Sequence, residues 1–277
     1  MIRHRENALM EPSPSRQPVL FLPHGGGPCF FMDWPDTWDH MAAYLRSVAA
    51  TLPARPDGIV VMSGHWETGV PMVTASAHPP LIYDYSGFPP HTYHLQYPAP
   101  GAPALAAEVL DLLAHAGMPG EADTGRGLDH GVFIPFMLAF AQADIPVVEL
   151  SLPRDLNAAH TLHMGAALQA LRARNILIVG TGMTYHNVRH LMGRDPQSDA
   201  QSRAFDTWLA RAVESPPPIR AEALTHWAQA PGARICHPTP EHLLPLLFAA
   251  GAAGNDLGRR DYSDTIMGKA LSGFRFG

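Results

Sequence analysis

Three histidines of the chain come shortly after apolar runs, and a fourth stands near a predicted helix start. The three are His24, His65 and His186, and the fourth is His237. Histidine is the commonest metal ligand and titrates near neutral pH, so it also serves as a general acid or base. If the apolar runs are parallel strands, the histidines after them meet at the sheet edge where α/β proteins bind ligands. The pattern therefore indicates a metal or catalytic site assembled from distant segments.

The elements that would position these histidines alternate along the chain. Short β-branched runs predict strands, and longer periodic segments between them predict helices. The strands are predicted at residues 18–23, 58–63, 145–152 and 175–180, and the helices at 37–51, 102–116, 133–143, 157–174, 200–214 and 240–252. This alternation predicts a single α/β domain over residues 17–277, with a central, mostly parallel or mixed sheet flanked by helices. Residues 1–16 are predicted to be a disordered lead-in.

The composition restricts the class of protein. The chain has 277 residues, of which 46% are hydrophobic, and its net charge is −6. The negative charge argues against nucleic acid or an anionic membrane as a partner, because binding phosphates needs clustered Lys and Arg. No apolar run reaches membrane-spanning length. The two cysteines, Cys29 and Cys236, cannot form a disulfide framework, so we expect a reduced, cytoplasmic protein.

Five motifs in order carry a family resemblance. They are Pro-His-Gly-Gly-Gly-Pro at 23–28, Ser-Gly-His-Trp-Glu-Thr at 63–68, Tyr-Pro-Ala-Pro-Gly at 97–101, Gly-Leu-Asp-His-Gly at 127–131 and Cys-His-Pro-Thr-Pro-Glu-His-Leu-Leu-Pro at 236–245. In order and spacing the series resembles the class III extradiol ring-cleavage dioxygenases, the LigB superfamily, in its DOPA 4,5-dioxygenase-like branch. The resemblance covers residues 18–277 and implies a LigB-like fold.

The resemblance implies roles for five histidines. His24, His65 and His237 match the metal ligands of this branch. His186 matches the catalytic histidine and stands close enough to be an additional contact of the metal. His130 matches the histidine that contacts substrate or oxygen.

The implied chemistry is the extradiol cleavage of a small catechol by O₂, which gives a ring-opened semialdehyde. Fe(II) with open coordination positions suits that reaction. Three histidines are equally typical of a catalytic Zn(II) site, so a zinc-dependent hydrolase stays open, as does a non-catalytic relative on the same fold. Glu67 and Glu149 are the nearest candidates for a carboxylate ligand or a supporting carboxylate.

Two further features bear on the substrate. Many relatives have Ser-His-Gly-Ser-Pro where this chain has Pro-His-Gly-Gly-Gly at 23–27, and Tyr185 replaces a smaller residue before His186. Residues 83–97 are rich in tyrosine and proline. This segment is interpreted either as a lid over an aromatic substrate or as a surface loop packed on itself.

Overall fold

An eight-stranded mixed sheet forms the centre of the computed structural model, which describes residues 16–191 and 195–277. Its strands are β1 (Val19–Pro23), β2 (Gly58–Thr68), β3 (Met72–Thr74), β5 (Glu121–Asp123), β7 (Val147–Pro153), β8 (Ile176–Gly182), β9 (Gly258–Ile266) and β10 (Lys269–Phe276), while β4 (Leu81–Ile82) and β6 (Leu128–Asp129) form a separate pair. The order across the sheet is β5-β3-β7-β2-β8-β1-β10-β9. Apart from Arg16, the predicted lead-in lies outside the described residues.

Four parallel strands, in the order β7-β2-β8-β1, occupy the middle of the sheet. They coincide with the four strands predicted from the sequence, and β1, β7 and β8 are buried along their whole length, as expected for a sheet covered on both faces. The predicted α/β class with a mixed sheet is therefore confirmed. Because these strands are parallel, the carboxyl ends of β1, β2 and β8 meet at one edge.

Helices cover the sheet in layers. They are α1 (Asp39–Ser47), α2 (Pro103–His115), α3 (His130–Ala139), α4 (Ala158–Ala167), α5 (Val188–Leu191), α6 (Pro196–Glu214), α7 (Pro217–Thr225), α8 (Ala233–Cys236) and α9 (Leu244–Ala252). The apolar helix α9 packs on β8, β1 and β2, with α4 behind it, while α3 packs on β2 with α1 behind it. Within the described ranges, none of these helices is both long and apolar enough to cross a membrane.

The boundaries differ from the predicted ones at two places that matter. The helix predicted at 240–252 begins only at Leu244, where Pro245 occupies its first turn, so residues 237–243 are irregular. The last two strands, β9 and β10, were not predicted. They form an antiparallel hairpin, and β10 pairs antiparallel with β1.

A buried carboxyl group lies within the central strands. Glu149 of β7 and Asp129 are both fully buried, and the backbone N–H of Asp129 points to Glu149 Oε2 at 3.4 Å. Arg126 lies 3.1 Å from the Asp129 carboxylate and 3.7 Å from that of Glu149. Burial, and then repulsion from Asp129, raises the pKa of Glu149 well above its ordinary value. Burial and Asp129 thus both favour the protonated form of Glu149.

Replacement of Glu149 by glutamine removes this ionisable group while keeping its shape. A carboxyl group with a raised pKa contributes its full stability below its unfolded-state pKa, near 4.3, and loses it as pH rises through the folded value. We expect the unfolding free energy of the wild type, minus that of E149Q, to fall with increasing pH by at most about 1.4 kcal/mol per unit. Urea unfolding at a series of pH values measures this difference. E121Q on the exposed strand β5 is the control, and a pH-independent difference would contradict the assignment.

Candidate metal centre and catalytic cavity

Two of the predicted histidines stand at the carboxyl edge of the parallel strands. His24 directly follows β1, and its backbone N–H donates to the carbonyl of Gly182 at the end of β8 (3.1 Å). His65 lies within β2, where the pairing of β2 with β7 shifts register between Met62 and Glu67. Such an irregularity re-aims a side chain locally, and here it places the ring of His65 beside that of His24, with centroids 5.2 Å apart.

The third histidine of the group is His242, not His237. The backbone carbonyl of His242 accepts a hydrogen bond from Met183 N (3.0 Å) and lies against Gly182, where any side chain would collide with it. Because α9 begins only at Leu244, residues 237–243 are not helical and can lie across the end of β8. His242 therefore points to the strand ends.

His237 was expected to complete the metal site, and the structure does not bring it there. The residue is fully buried at the end of α8, where its Nε2 donates to the carbonyl of Thr184 (3.0 Å). Its ring faces Phe205 and Trp227. Burial lowers the pKa of His237 to about 3, so the ring is neutral. His237 therefore packs behind the segment that carries His186, which it contacts through Thr184.

The three rings point one nitrogen each at a common point. One ligand atom from each of His24, His65 and His242 lies within 4.8 Å of the other two, and the Nε2 atoms of His65 and His242 are 3.2 Å apart. Nδ1 of His24 faces the carbonyl of Gly25 (2.9 Å), which can only accept. It therefore carries the proton and leaves Nε2, buried and without a hydrogen-bond partner, as a lone pair.

The outer nitrogens of the other two rings face carboxylates. Nδ1 of His65 is 3.3 Å from Asp84, and Nδ1 of His242 is 3.1 Å from Glu241. Protons on these Nδ1 atoms leave both Nε2 atoms as lone pairs, although they face each other closely. Three converging imidazole lone pairs repel one another unless a cation lies between them. The donor set therefore fits a divalent metal such as Fe(II) or Zn(II).

Burial keeps these rings neutral. It lowers the pKa of His24 and His242 well below the ordinary value, and it lowers that of His65 to about 4; neighbouring histidines lower all three further. Neutral imidazole is the form that binds a metal.

Each of the two carboxylates joins a ring of this group to a second histidine. Asp84 also accepts from Nδ1 of His130 (2.7 Å), and Glu241 also faces Nδ1 of His186 (3.1 Å). Burial alone would raise the pKa of Asp84, but the hydrogen bonds and charge of His130 outweigh burial and lower it to about 2. Hydrogen bonds from His186 and His242 likewise outweigh burial and hold the pKa of Glu241 well below its ordinary value. Both carboxylates are ionised acceptors.

His186 and His130 flank the three-histidine group. The ring of His186 stacks on that of His242 with centroids 3.3 Å apart, and its backbone N–H donates to Cys236 O (2.9 Å). His130 is the first residue of α3, with its ring 4.1 Å from that of His65. The structure thus brings together four of the five predicted site residues and adds His242.

These histidines form one wall of a cavity of about 260 Å³. The other lining residues are mostly aromatic or apolar: Gly25, Gly26, Gly27, Trp34, Trp38, Tyr85, Phe88, Met183, Tyr185, Val188 and Met267. Tyr85 and Phe88 belong to the aromatic segment, residues 83–97. This segment packs on itself through Tyr83 O–H to Leu95 O and Tyr85 O–H to Thr92 O, both 2.5 Å, so it is both self-packed and a wall of the cavity.

The structure does not bring the two carboxylates named from the sequence, Glu67 and Glu149, to the three-histidine group. Glu67 is exposed, and Glu149 lies in the buried pair with Asp129. The sequence signal for Glu241 was its position next to His242, because ligand histidines commonly share a proton with a carboxylate. Asp84 carried no such signal, since its partners are distant in the chain.

Comparison with known proteins gives consistent matches. A family model described as the catalytic LigB subunit of aromatic ring-opening dioxygenase matches residues 20–274. The 4,5-DOPA dioxygenase extradiol of Beta vulgaris is 40% identical over 73% of this chain and 75% of its own length. The Escherichia coli K12 protein of the same name is 35% identical over 87% of this chain and 86% of its own length. Dioxygenase tasH of Hapsidospora irregularis is 37% identical over 94% and 85%, respectively.

A solved structure has the same fold. The crystal structure of an uncharacterised protein from Escherichia coli K12 superposes with a TM-score of 0.78 at 31% sequence identity, covering 95% of this chain and all of the other. With the family model spanning nearly all of the described sheet, the chain belongs to the LigB family of aromatic ring-opening dioxygenases.

Proposed function

We propose that this protein is an Fe(II)-dependent extradiol dioxygenase that opens the ring of a small catechol with O₂ and yields a semialdehyde. The observation that carries the proposal is the convergence of three neutral imidazole nitrogens at the wall of an aromatic cavity, with two further histidines beside them. The relatives named extradiol dioxygenases support the same reaction class.

His24, His65 and His242 would hold the metal through Nε2. Bound Fe(II) would supply the one-electron chemistry that lets O₂ react with an aromatic ring, which amino-acid side chains do not provide. The carboxylates on the outer nitrogens of His65 and His242 increase the basicity of those ligands and fix the direction of each ring. Burial keeps bulk water from the ligand nitrogens.

His186 is proposed as the general base. Its Nδ1 faces the ionised Glu241, which leaves Nε2 as the nitrogen available to take a proton from a catechol hydroxyl. The imidazolium so formed would be stabilised by the Glu241 carboxylate, 3.1 Å from Nδ1. The same nitrogen can later return the proton during ring opening.

His130 is proposed to contact the substrate or O₂ from the opposite side. Its Nδ1 is taken by Asp84 at 2.7 Å, so Nε2 is the nitrogen free to act in the cavity. The aromatic walls, including Tyr85 and Phe88, would stack on a planar ring and exclude water. A cavity of about 260 Å³ suits a single-ring catechol with a short substituent, such as DOPA.

A first test separates His242 from His237. H242A removes a proposed ligand, so we expect metal content to fall to background in protein dialysed against equimolar Zn(II) and analysed by elemental spectrometry. H237A removes a buried ring and the donor to Thr184 O, so we expect it to keep the metal while losing about 1–3 kcal/mol of unfolding free energy. Loss of metal in H237A but not in H242A would reverse the assignment.

A second test addresses the reaction. Metal-free protein reloaded with Fe(II) under anaerobic conditions is given a panel of catechols that includes DOPA, and oxygen uptake is recorded beside the absorbance of the product. We expect one O₂ consumed per yellow ring-opened product. We expect H186A to lower turnover at least about 100-fold, because general-base catalysis typically contributes that much, while metal content stays unchanged.

The controls decide between the alternatives. No uptake at verified iron occupancy would contradict the proposal and favour a zinc-dependent hydrolase, which the all-histidine donor set also suits. Full activity of H186A would exclude His186 as the base.

A further inference from the structure

Asp84 contacts two of the proposed site histidines at once, His65 and His130. Its Oδ1 accepts from both the backbone N–H (3.0 Å) and Nδ1 (2.7 Å) of His130, and its Oδ2 lies 3.3 Å from Nδ1 of His65. The carboxylate therefore lies between a proposed metal ligand and a proposed substrate contact. It also sits at the N-terminus of α3, where backbone N–H groups favour a negative charge.

The surroundings of Asp84 fix its position independently of a metal. It is the second residue after β4 and stands between Tyr83 and Tyr85, whose hydroxyl groups donate to the backbone carbonyls of Leu95 and Thr92 in the same aromatic segment. Tyr83 packs edge-on against Phe133 of α3, with centroids 5.5 Å apart, and Tyr85 packs likewise against His130 at the same distance. The carboxylate is thus anchored by packing on both sides.

Asp84 favours a proton on Nδ1 of both rings and so determines where each Nε2 points. A proton on Nδ1 of His65, which faces Asp84 Oδ2 at 3.3 Å, leaves the Nε2 lone pair directed towards His24 and His242. A proton on Nδ1 of His130 leaves the Nε2 of that ring for the cavity. Without the carboxylate, either ring could carry its proton on Nε2, where it would block metal or substrate.

We infer that Asp84 is a positioning residue, which sets the tautomer and orientation of His65 and His130 together and so couples the aromatic segment to the metal centre. The inference rests on the proposed function, because it assumes that His65 binds the metal. Glu241 performs the matching task for His242 and His186 on the other side of the centre. The two carboxylates differ in their place in the chain: Glu241 is next to His242 in sequence, whereas Asp84 lies in the aromatic segment, whose Tyr85 and Phe88 line the cavity.

The test is the variant D84N, which keeps the size of the side chain but puts an N–H donor where one acceptor stood. Metal-free wild type and D84N are titrated with Zn(II) in competition with a chromophoric chelator. We expect the affinity of D84N to fall about 10- to 100-fold, the usual effect of removing a carboxylate behind a ligand histidine. D256N is the matched control, because the Asp256 side chain is about as exposed as that of Asp84 and faces a cationic side chain, Arg172. Arg172 donates to Gln17 O, just before β1 begins, so Asp256 lies at the opposite edge of the sheet from the histidines.

A spectroscopic measurement distinguishes positioning from a general loss of structure. In protein labelled with ¹⁵N-histidine, ¹H–¹⁵N spectra of the metal-free state report which ring nitrogen carries the proton. We expect the Nδ1–H signals of His65 and His130, assigned with H65A and H130A, to disappear or shift in D84N and to persist in D256N. If D84N does not fold, D84E serves instead, because its longer side chain displaces the carboxylate and should also weaken Zn(II) binding.

The outcomes are separable. A wild type that binds no Zn(II) or Fe(II) would refute the proposed function itself. A wild type that binds metal, with D84N or D84E binding equally tightly and its Nδ1–H signals unchanged, would overturn the role of Asp84 and leave the proposed function standing.

Discussion

The constraint on which this site depends is the burial of three neutral imidazole rings whose lone pairs face one point. Charging the rings is opposed by burial and by their neighbours, as the low pKa values of His24 and His242 reflect. Leaving them neutral brings lone pairs into contact, with Nε2 atoms of His65 and His242 only 3.2 Å apart. A bound cation lets the rings stay neutral and attracts the lone pairs that would otherwise repel one another. The fold therefore builds a site whose own electrostatics favour a metal.

Three local features of the sheet and its connections bring the rings together. Parallel strands β1, β2 and β8 bring their carboxyl ends together, and the register shift in β2 turns His65 towards His24. The third ring comes from a segment without regular structure that lies against Gly182. The ionised carboxylates face the Nδ1 atoms behind the rings, and the Nε2 atoms face the centre. The negative charges of Asp84 and Glu241 therefore lie behind the rings and not at the point where the ring nitrogens converge.

The sequence predicted the frame of the protein well because its signals there are local. The central strands are β-branched runs with Gly or Pro at their ends, and each prediction fell within two or three residues of the observed strand, apart from the extension of β2 past Ser63. The positions of His24, His65 and His186 followed from the strands they succeed. The position of His242 did not, since whether His237 or His242 joins the group depends on where α9 begins. Helix boundaries are set by packing, which here starts the helix at Leu244.

Long-range features were the least accessible to sequence reasoning. Asp84 is separated from His130 by 46 residues, and its role depends on the packing of the aromatic segment against α3. Strand β9 shows no strict alternation of buried and exposed residues, and β1, with which β10 pairs, lies at the far end of the chain. Such pairings are decided by the tertiary structure.

The pairing of β10 with β1 has a consequence for the order in which the protein folds during its synthesis. Val19 in the first strand is matched to Phe276 in the last, and the segment that presents His242 immediately precedes the helix and hairpin that complete the sheet. A contact between such distant residues closes a very long loop, and its entropy is lost before the new contacts compensate for it. A chain still emerging from the ribosome has His24 and His65 but not yet their third partner. In the proposed site, metal binding by all three rings would therefore wait until the segment that carries His242 has joined the sheet.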